Sequence, residues 1–242
     1  MLRRMGKPGT LESFARACDL LQSYPSLFVG GNFIIGLFGE ETFNEMLATF
    51  AFSCRLKLDW SSFTLFQVTR NSDSKRGERS NVAIDFIPTK NSANRELGED
   101  RSIPLGRSVF DLPKDIIPSK EVLNHIWFTF NLVGNYLNNK NLKPGGNPSQ
   151  FTSWVDAVQV AYPQNPYMRL FSALGHLLLG NSDHVKQRVG ACRRIVEKSP
   201  YWKHRFAEFG LNDLMDNFPT TPELVFRSLD LILQPYEDVL QK

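Results

Sequence analysis

The first part of the chain combines a helix-like and a strand-like hydrophobic pattern. Apolar residues recur at helical spacing over 11–24, where Thr10 is placed to cap the helix and Pro25 to end it. A nearly continuous apolar run then covers residues 27–35. Because the run lacks polar alternation, it predicts a strand that is buried on both faces, as in a parallel sheet.

A second helix and a second strand follow the same order. Glu40 and Glu41 are predicted to open the helix, since carboxylates complement the positive helix amino terminus. Residues 62–68 are rich in Phe, Thr and Val and predict the strand. The order helix, strand, helix, strand over residues 1–70 is typical of a βαβ unit and predicts an α/β fold class for this region.

The rest of the chain changes character twice. Residues 71–118 are predominantly polar and predict a loop or linker. Residues 119–242 predict an all-α region, in which Asn-Pro pairs at 147 and 165 signal helix starts. The stretch 166–200 resembles a single tetratricopeptide-type hairpin.

Composition narrows the partners and the location. A net charge of +3 over 242 residues gives no reason to expect a nucleic acid or an anionic membrane as partner. The sequence offers neither a membrane-spanning segment nor a signal peptide, so we expect a cytoplasmic protein. Its three cysteines (Cys18, Cys54 and Cys192) are far apart and fit neither a disulfide framework nor a zinc site.

One segment carries a family resemblance. Residues 30–40, GGNFIIGLFGE, resemble the fifth-strand motif of radical S-adenosylmethionine (SAM) enzymes, roughly GxIxGLPGE. Residues 1–10 are similar to the loop after the fourth strand of that family. Residues 108–113, SVFDLP, resemble the tails of members with an N-terminal cobalamin-binding domain. The resemblance implies a partial (β/α)₆ barrel, of which residues 1–70 would supply helix four to strand six.

The resemblance also implies a cofactor pocket, formed by Asn32, Ile34, Gly36 and Gln67. Ile34 would be an apolar wall against the adenine ring of SAM, and Gly36 would allow close backbone approach. Phe38 departs from the family proline, and Asn32 stands where a glycine is expected. The alternative is that Ile34 and Gly36 are only core and turn residues.

The chemistry of the family requires ligands that this sequence lacks. A [4Fe–4S] cluster needs cysteine thiolates from a CxxxCxxC loop, and no such motif occurs here. We therefore expect a C-terminal fragment or split subunit that is not catalytic alone and binds neither SAM nor a cluster stably, with cobalamin possible only in the parent enzyme. Its partner would be the missing N-terminal half, in cis or as a separate chain.

Two other classes of function stay open. The first is a non-catalytic helical module for protein–protein interaction. The second is an unrelated hydrolase or transferase, for which the sequence offers no GxSxG motif, no P-loop and no informative pairing of an acid with a histidine.

Overall fold

Two helices and two parallel strands open the fold. The computed structural model of the chain describes residues 9–66 and 106–240. Within them the order helix, strand, helix, strand is confirmed, with bounds α1 Leu11–Gln22, β1 Gly30–Ile35, α2 Phe43–Arg55 and β2 Trp60–Leu65. Gln67, residues 1–8, the predicted end of the second strand and most of the predicted linker 71–118 lie outside the described residues.

The starts of the first two helices test the caps predicted from neighbouring residues. Thr10 caps α1 as predicted, since its hydroxyl accepts a hydrogen bond from the Ser13 N–H at 3.2 Å. The prediction that Glu40 and Glu41 open the second helix is wrong by two residues. Thr42 is the cap, and the Glu45 carboxylate accepts a hydrogen bond from the Thr42 N–H at 2.9 Å. This reciprocal Thr-x-x-Glu box satisfies two free donors, so it fixes the start of the helix more strongly than acidic charge does.

The two strands pair in parallel, with Gly30 opposite Trp60 and Ile35 opposite Leu65. One face of the sheet is buried: Ile35 and Phe63 are at most 2% exposed. On the other face Asn32 is exposed. The prediction that this strand is buried on both faces is therefore wrong, because α2 covers one face and polar residues occupy the other.

The remaining helices form a bundle around the sheet. The predicted caps at Asn147 and Asn165 are confirmed, because each side chain accepts a hydrogen bond from the N–H three residues ahead. The predicted long helix after residue 119 consists of α3 and a π-helical extension, Val133–Leu137. The helices are α3 Lys120–Leu132, α4 Pro148–Gln159, α5 Pro166–Leu178, α6 Ser182–Lys198, α7 Pro200–Glu208, α8 Leu211–Asp216, α9 Pro222–Leu233 and α10 Glu237–Leu240.

One hydrophobic core joins the sheet to the bundle. Phe50 of α2, Phe63 of β2 and Phe130 of α3 belong to the same buried cluster, which extends to Leu229 in α9. The rings of Phe50 and Phe130 stack with their centroids 4.4 Å apart. The strands therefore bury their covered face against helices of this same chain. None of the helices in the described ranges is long and apolar enough to cross a bilayer.

Candidate functional site

Side chains from one helix bond to the outer edge of β2. Asn135 accepts a hydrogen bond from the Ser61 N–H at 2.6 Å and donates one to the Ser61 carbonyl at 2.7 Å. Asn131 makes the same pair of bonds with Phe63, at 3.2 and 3.1 Å. Each primary amide thus offers the donor and the acceptor that a neighbouring strand would offer.

A third asparagine and a tryptophan extend this arrangement. Asn139 donates to the Asp59 carbonyl at 2.9 Å, and Trp127 donates its indole N–H to the Phe63 carbonyl at 2.7 Å. We refer to Asn131, Asn135 and Asn139 as the asparagine ladder.

The ladder spans the end of α3 and the π-helical extension Val133–Leu137. Its asparagines recur at i, i+4 and i+8, close to one helical turn apart, so their side chains lie on the same side. They meet alternate residues of the facing segment, Phe63, Ser61 and Asp59.

The edge of β1 differs. Since Ser61 and Phe63 direct their main-chain groups away from β1, the register makes Gly30, Asn32 and Ile34 direct theirs away from β2. In the described ranges, 9–66 and 106–240, no other strand pairs with this edge of the sheet. Among the described residues the sheet consequently has one edge closed by side chains and one edge that no strand pairs.

The structure brings together two of the residues that the resemblance assigns to a cofactor pocket. Asn32 and Ile34 lie on the less buried face of the sheet, beside their register partners Ser62 and Thr64. Asn32 and Thr64 are exposed, and Ile34 and Ser62 are half-buried. This face therefore presents two hydroxyls and an amide around one aliphatic side chain, a mixture that can contact a ligand with polar and apolar parts.

The third residue, Gly36, lies in the turn that ends β1. Its φ of 74° is left-handed, and a Cβ added there would lie 2.6 Å from a Leu123 methyl carbon. Both facts require a glycine, as a turn residue packed against the start of α3. The sequence left open that Gly36 is only a turn residue. Its left-handed φ and its packing against Leu123 are the physical reasons for a glycine in this turn.

The same turn departs from the radical SAM motif in its backbone. Phe38 has a φ of 56°, whereas proline fixes φ near about −65°. A proline, which the family motif carries at this position, is incompatible with the turn as it stands. The turn is instead held by the buried Glu41 carboxylate, which accepts a hydrogen bond from the Leu37 N–H at 3.0 Å. Burial raises the pKa of Glu41, although its bonds to backbone N–H groups oppose the shift.

The helix α1 carries apolar side chains that its neighbours leave uncovered. Ala15 and Cys18 pack against the small cluster of Val29, Leu56 and Leu58. On the flank of the same helix, Phe14 is 42% and Leu21 43% exposed.

The cysteines do not fit an iron–sulfur cluster. They lie on three different helices, α1, α2 and α6. Burial raises the pKa of Cys54 to about 11 and that of Cys192 to about 12, so both side chains are thiols in the protein described here. No group of three His, Cys, Asp or Glu residues within the described part of the chain could hold a metal ion.

Sequence reasoning missed the asparagine ladder, although a signal was present. Asn131, Asn135 and Asn139 recur every four residues within an otherwise apolar helical stripe. Regularly spaced amides on a buried helix face indicate a regularly spaced set of backbone groups to bond.

Searches of family models, curated proteins and solved structures find no match to this chain.

Proposed function

We propose that this chain supplies the last two strands of a radical SAM-type partial barrel, whose first four strands and cluster-binding cysteines belong to another segment or chain. The observation that carries the proposal is the difference between the two edges of the sheet. β2, which would be strand six, is closed by the asparagine ladder. β1, which would be strand five, has its outer edge available for strand four.

The less buried face of the sheet supports the same assignment. In a barrel of this kind helices cover the outer face and the substrate side lies within. Here α2 packs on one face, and the opposite face carries Asn32 and Ile34. These two residues would contact SAM, with Gly36 shaping the turn beside it. Gln67, the fourth residue of the proposed pocket, would follow strand six.

Two further features fit an incomplete assembly. The exposed flank of α1, with Phe14 and Leu21, would be covered by the preceding elements of the barrel. The helices α5 and α6, which form the tetratricopeptide-like hairpin of this proposal, would belong to a docking tail outside the barrel. Catalysis is not expected from this chain alone, because its cysteines do not fit a cluster.

The test begins with the DNA upstream of the coding region. We expect an in-frame or adjacent stretch that encodes CxxxCxxC, and the two products should purify together when expressed anaerobically. In that complex the amide of Asn32 should exchange with solvent at least roughly a hundredfold more slowly than in the chain alone, because a new strand would bond to it. The Ser61 amide, already bonded to Asn135, is the matched control and should change little.

Absence of such a reading frame, or co-purification without protection at Asn32, would reject the barrel proposal. The Ile34→Asp variant of the complex offers a further check. A carboxylate against adenine should weaken SAM binding strongly. Unchanged SAM affinity would assign Ile34 to the core alone.

One observation favours the second candidate, a helical interaction module. The hydrophobic core runs without interruption from Phe63 to the helices, so the chain has the interior that independent folding requires. On this view the chain would act as a binding protein without the barrel half. Cooperative unfolding of the isolated chain, with equal protection in β2 and α5, would support it, whereas early loss of residues 9–66 to protease would favour the barrel proposal.

A further inference from the structure

The described residues line a partly open cavity at the amino ends of the two strands. It measures about 620 Å³, a size typical of small-molecule pockets, which span about 300–1,000 Å³. Its walls come from the end of α1, the link between α2 and β2, and the loop 138–147 before α4.

Lysines dominate the charge of this cavity. Among the described residues, Lys57, Lys140 and Lys143 line it together with one carboxylate, Asp59. That carboxylate is already engaged: it accepts hydrogen bonds from the Val29 N–H at 2.7 Å and from Asn141 at 2.8 Å, and it pairs with Lys140 at 3.2 Å. This part of the lining consequently has two positive charges, on Lys57 and Lys143, that its own carboxylate does not neutralise.

Lys143 is the less exposed of these two cations. It is half-buried, and its ammonium donates a hydrogen bond to the Asn138 side chain at 2.5 Å. Burial lowers the pKa of Lys143, and the nearby charge of Lys57 lowers it further, while Asp230 and Cys54 act in the opposite direction. An anion placed between Lys57 and Lys143 would relieve both effects.

Lys57 occupies a position that disfavours its side chain. It follows the C-terminal cap of α2 with a left-handed φ of 48°, where glycine is the usual residue. Keeping a lysine there costs stability, and such costs concentrate at functional sites. The side chain of Lys57 places a positive charge in the cavity wall.

Two of the hydrogen bonds that hold the walls in place involve neither Lys57 nor Lys143. Gln150 donates to the Leu27 carbonyl at 3.1 Å, and Gln22 donates to the Leu56 carbonyl at 2.8 Å. At Gly146 a Cβ would collide with the Lys140 carbonyl, so the loop can close over the cavity only with glycine at this position.

We propose that this cavity binds a small phosphorylated compound, with the phosphate group between Lys57 and Lys143. The cationic lining favours an oxyanion of more than one charge, and the volume leaves room for the body of a small molecule beside it. The site is independent of the barrel proposal, because it uses no residue of the open edge or of the exposed face.

The test uses the full chain, with inorganic phosphate and pyrophosphate as probes at constant ionic strength, in calorimetry and amide chemical-shift titrations. We expect saturable binding that shifts the amide signals of residues 57, 143 and 145–147. Lys143→Gln should weaken pyrophosphate binding roughly tenfold or more, since a charge-assisted hydrogen bond is lost. Lys198→Gln, on the exposed side of α6, is the matched control and should leave the affinity unchanged.

A second variant separates binding from folding. Lys57→Gly should raise the unfolding temperature by relieving the left-handed backbone, and it should weaken pyrophosphate binding by a factor similar to that of Lys143→Gln. A variant that is more stable yet binds less cannot be explained by misfolding. Absence of saturable binding, shifts outside the cavity, or equal weakening by Lys198→Gln would each overturn the proposal.

Discussion

The two edges of the sheet differ in what their outward main-chain N–H and C=O groups meet. Along β2 the outward N–H and C=O groups of Ser61 and Phe63 are bonded to primary amides of a helix, at distances of 2.6 to 3.2 Å. Along β1 the outward groups of Asn32 and Ile34 face no strand of the described residues. The difference shows that a helix with amides at the right spacing can end a sheet, and that a sheet can be ended selectively at one edge.

The largest expected effect comes from removing the central amide of the ladder. Asn135→Leu keeps the size of the side chain but leaves two buried main-chain groups of Ser61 without partners. We expect the free energy of unfolding to fall by about 3–4 kcal/mol, given about 1–3 kcal/mol for each unsatisfied group. Urea unfolding measures the change.

The matched control is Asn44→Leu, on the exposed surface of α2. It should alter the free energy of unfolding by less than about 0.5 kcal/mol. If the two variants were equally stable, the amides would not be what closes the β2 edge.

The turn at the end of β1 provides the next test. Phe38→Pro introduces the proline of the radical SAM motif that residues 30–40 resemble, but proline cannot adopt the observed φ of 56°. We expect a loss of about 3 kcal/mol in unfolding free energy, comparable to a proline placed inside a helix. Phe38→Gly, which permits this φ, separates backbone strain from loss of the ring contact with Phe66. A fully stable Phe38→Pro protein would mean that the turn takes a different conformation and would strengthen the resemblance to the family.

We expect acidic pH to lower the stability of the protein through α3, the helix that carries Asn131 of the ladder. His125 of α3 is buried beside Arg205, whose guanidinium lies 2.8 Å from its Nδ1. Burial, and then the charge of Arg205, lower the pKa of His125 to about 4. Because the unfolded chain binds the proton more readily, its contribution to stability is present above about pH 6.5 and is lost as the pH falls toward 4.

From pH 7 to pH 5 this histidine should cost about 2 kcal/mol of unfolding free energy. Burial also lowers the pKa of His176, which adds a loss in the same direction. His125→Gln should therefore reduce the pH dependence without abolishing it, as measured by urea unfolding at each pH. An unchanged pH profile in that variant would mean that His125 does not titrate as its surroundings require.

The elements that sequence predicted well are those fixed by neighbouring residues. Thr10, Asn147 and Asn165 cap the helices that follow them because the bonded N–H lies only three residues away. Spacing also indicates which helix faces are apolar, although in α1 the apolar positions Phe14 and Leu21 are exposed. Such local features need no knowledge of the tertiary structure.

What sequence missed depends on distant contacts. Asn135 bonds to Ser61 across 74 positions of the chain, and Asp59 meets Asn141 across 82. The exposure of Asn32 depends on which elements cover the sheet, which an apolar run by itself does not determine. Asn32 and Ile34 were predictable as neighbours on one face because they lie two residues apart in a strand. The lysine cavity at the other end of the strands was not predictable, because distant segments of the chain form its walls.

The asparagine ladder also makes the edge of the sheet sensitive to the length of the helix. Its amides must lie on one side of the segment that joins α3 to the π-helical extension Val133–Leu137. A single residue inserted between Asn131 and Asn135 would rotate every later amide by roughly a quarter of a turn. Asn135 and Asn139 would then no longer face Ser61 and Asp59, and the edge would be released in one step.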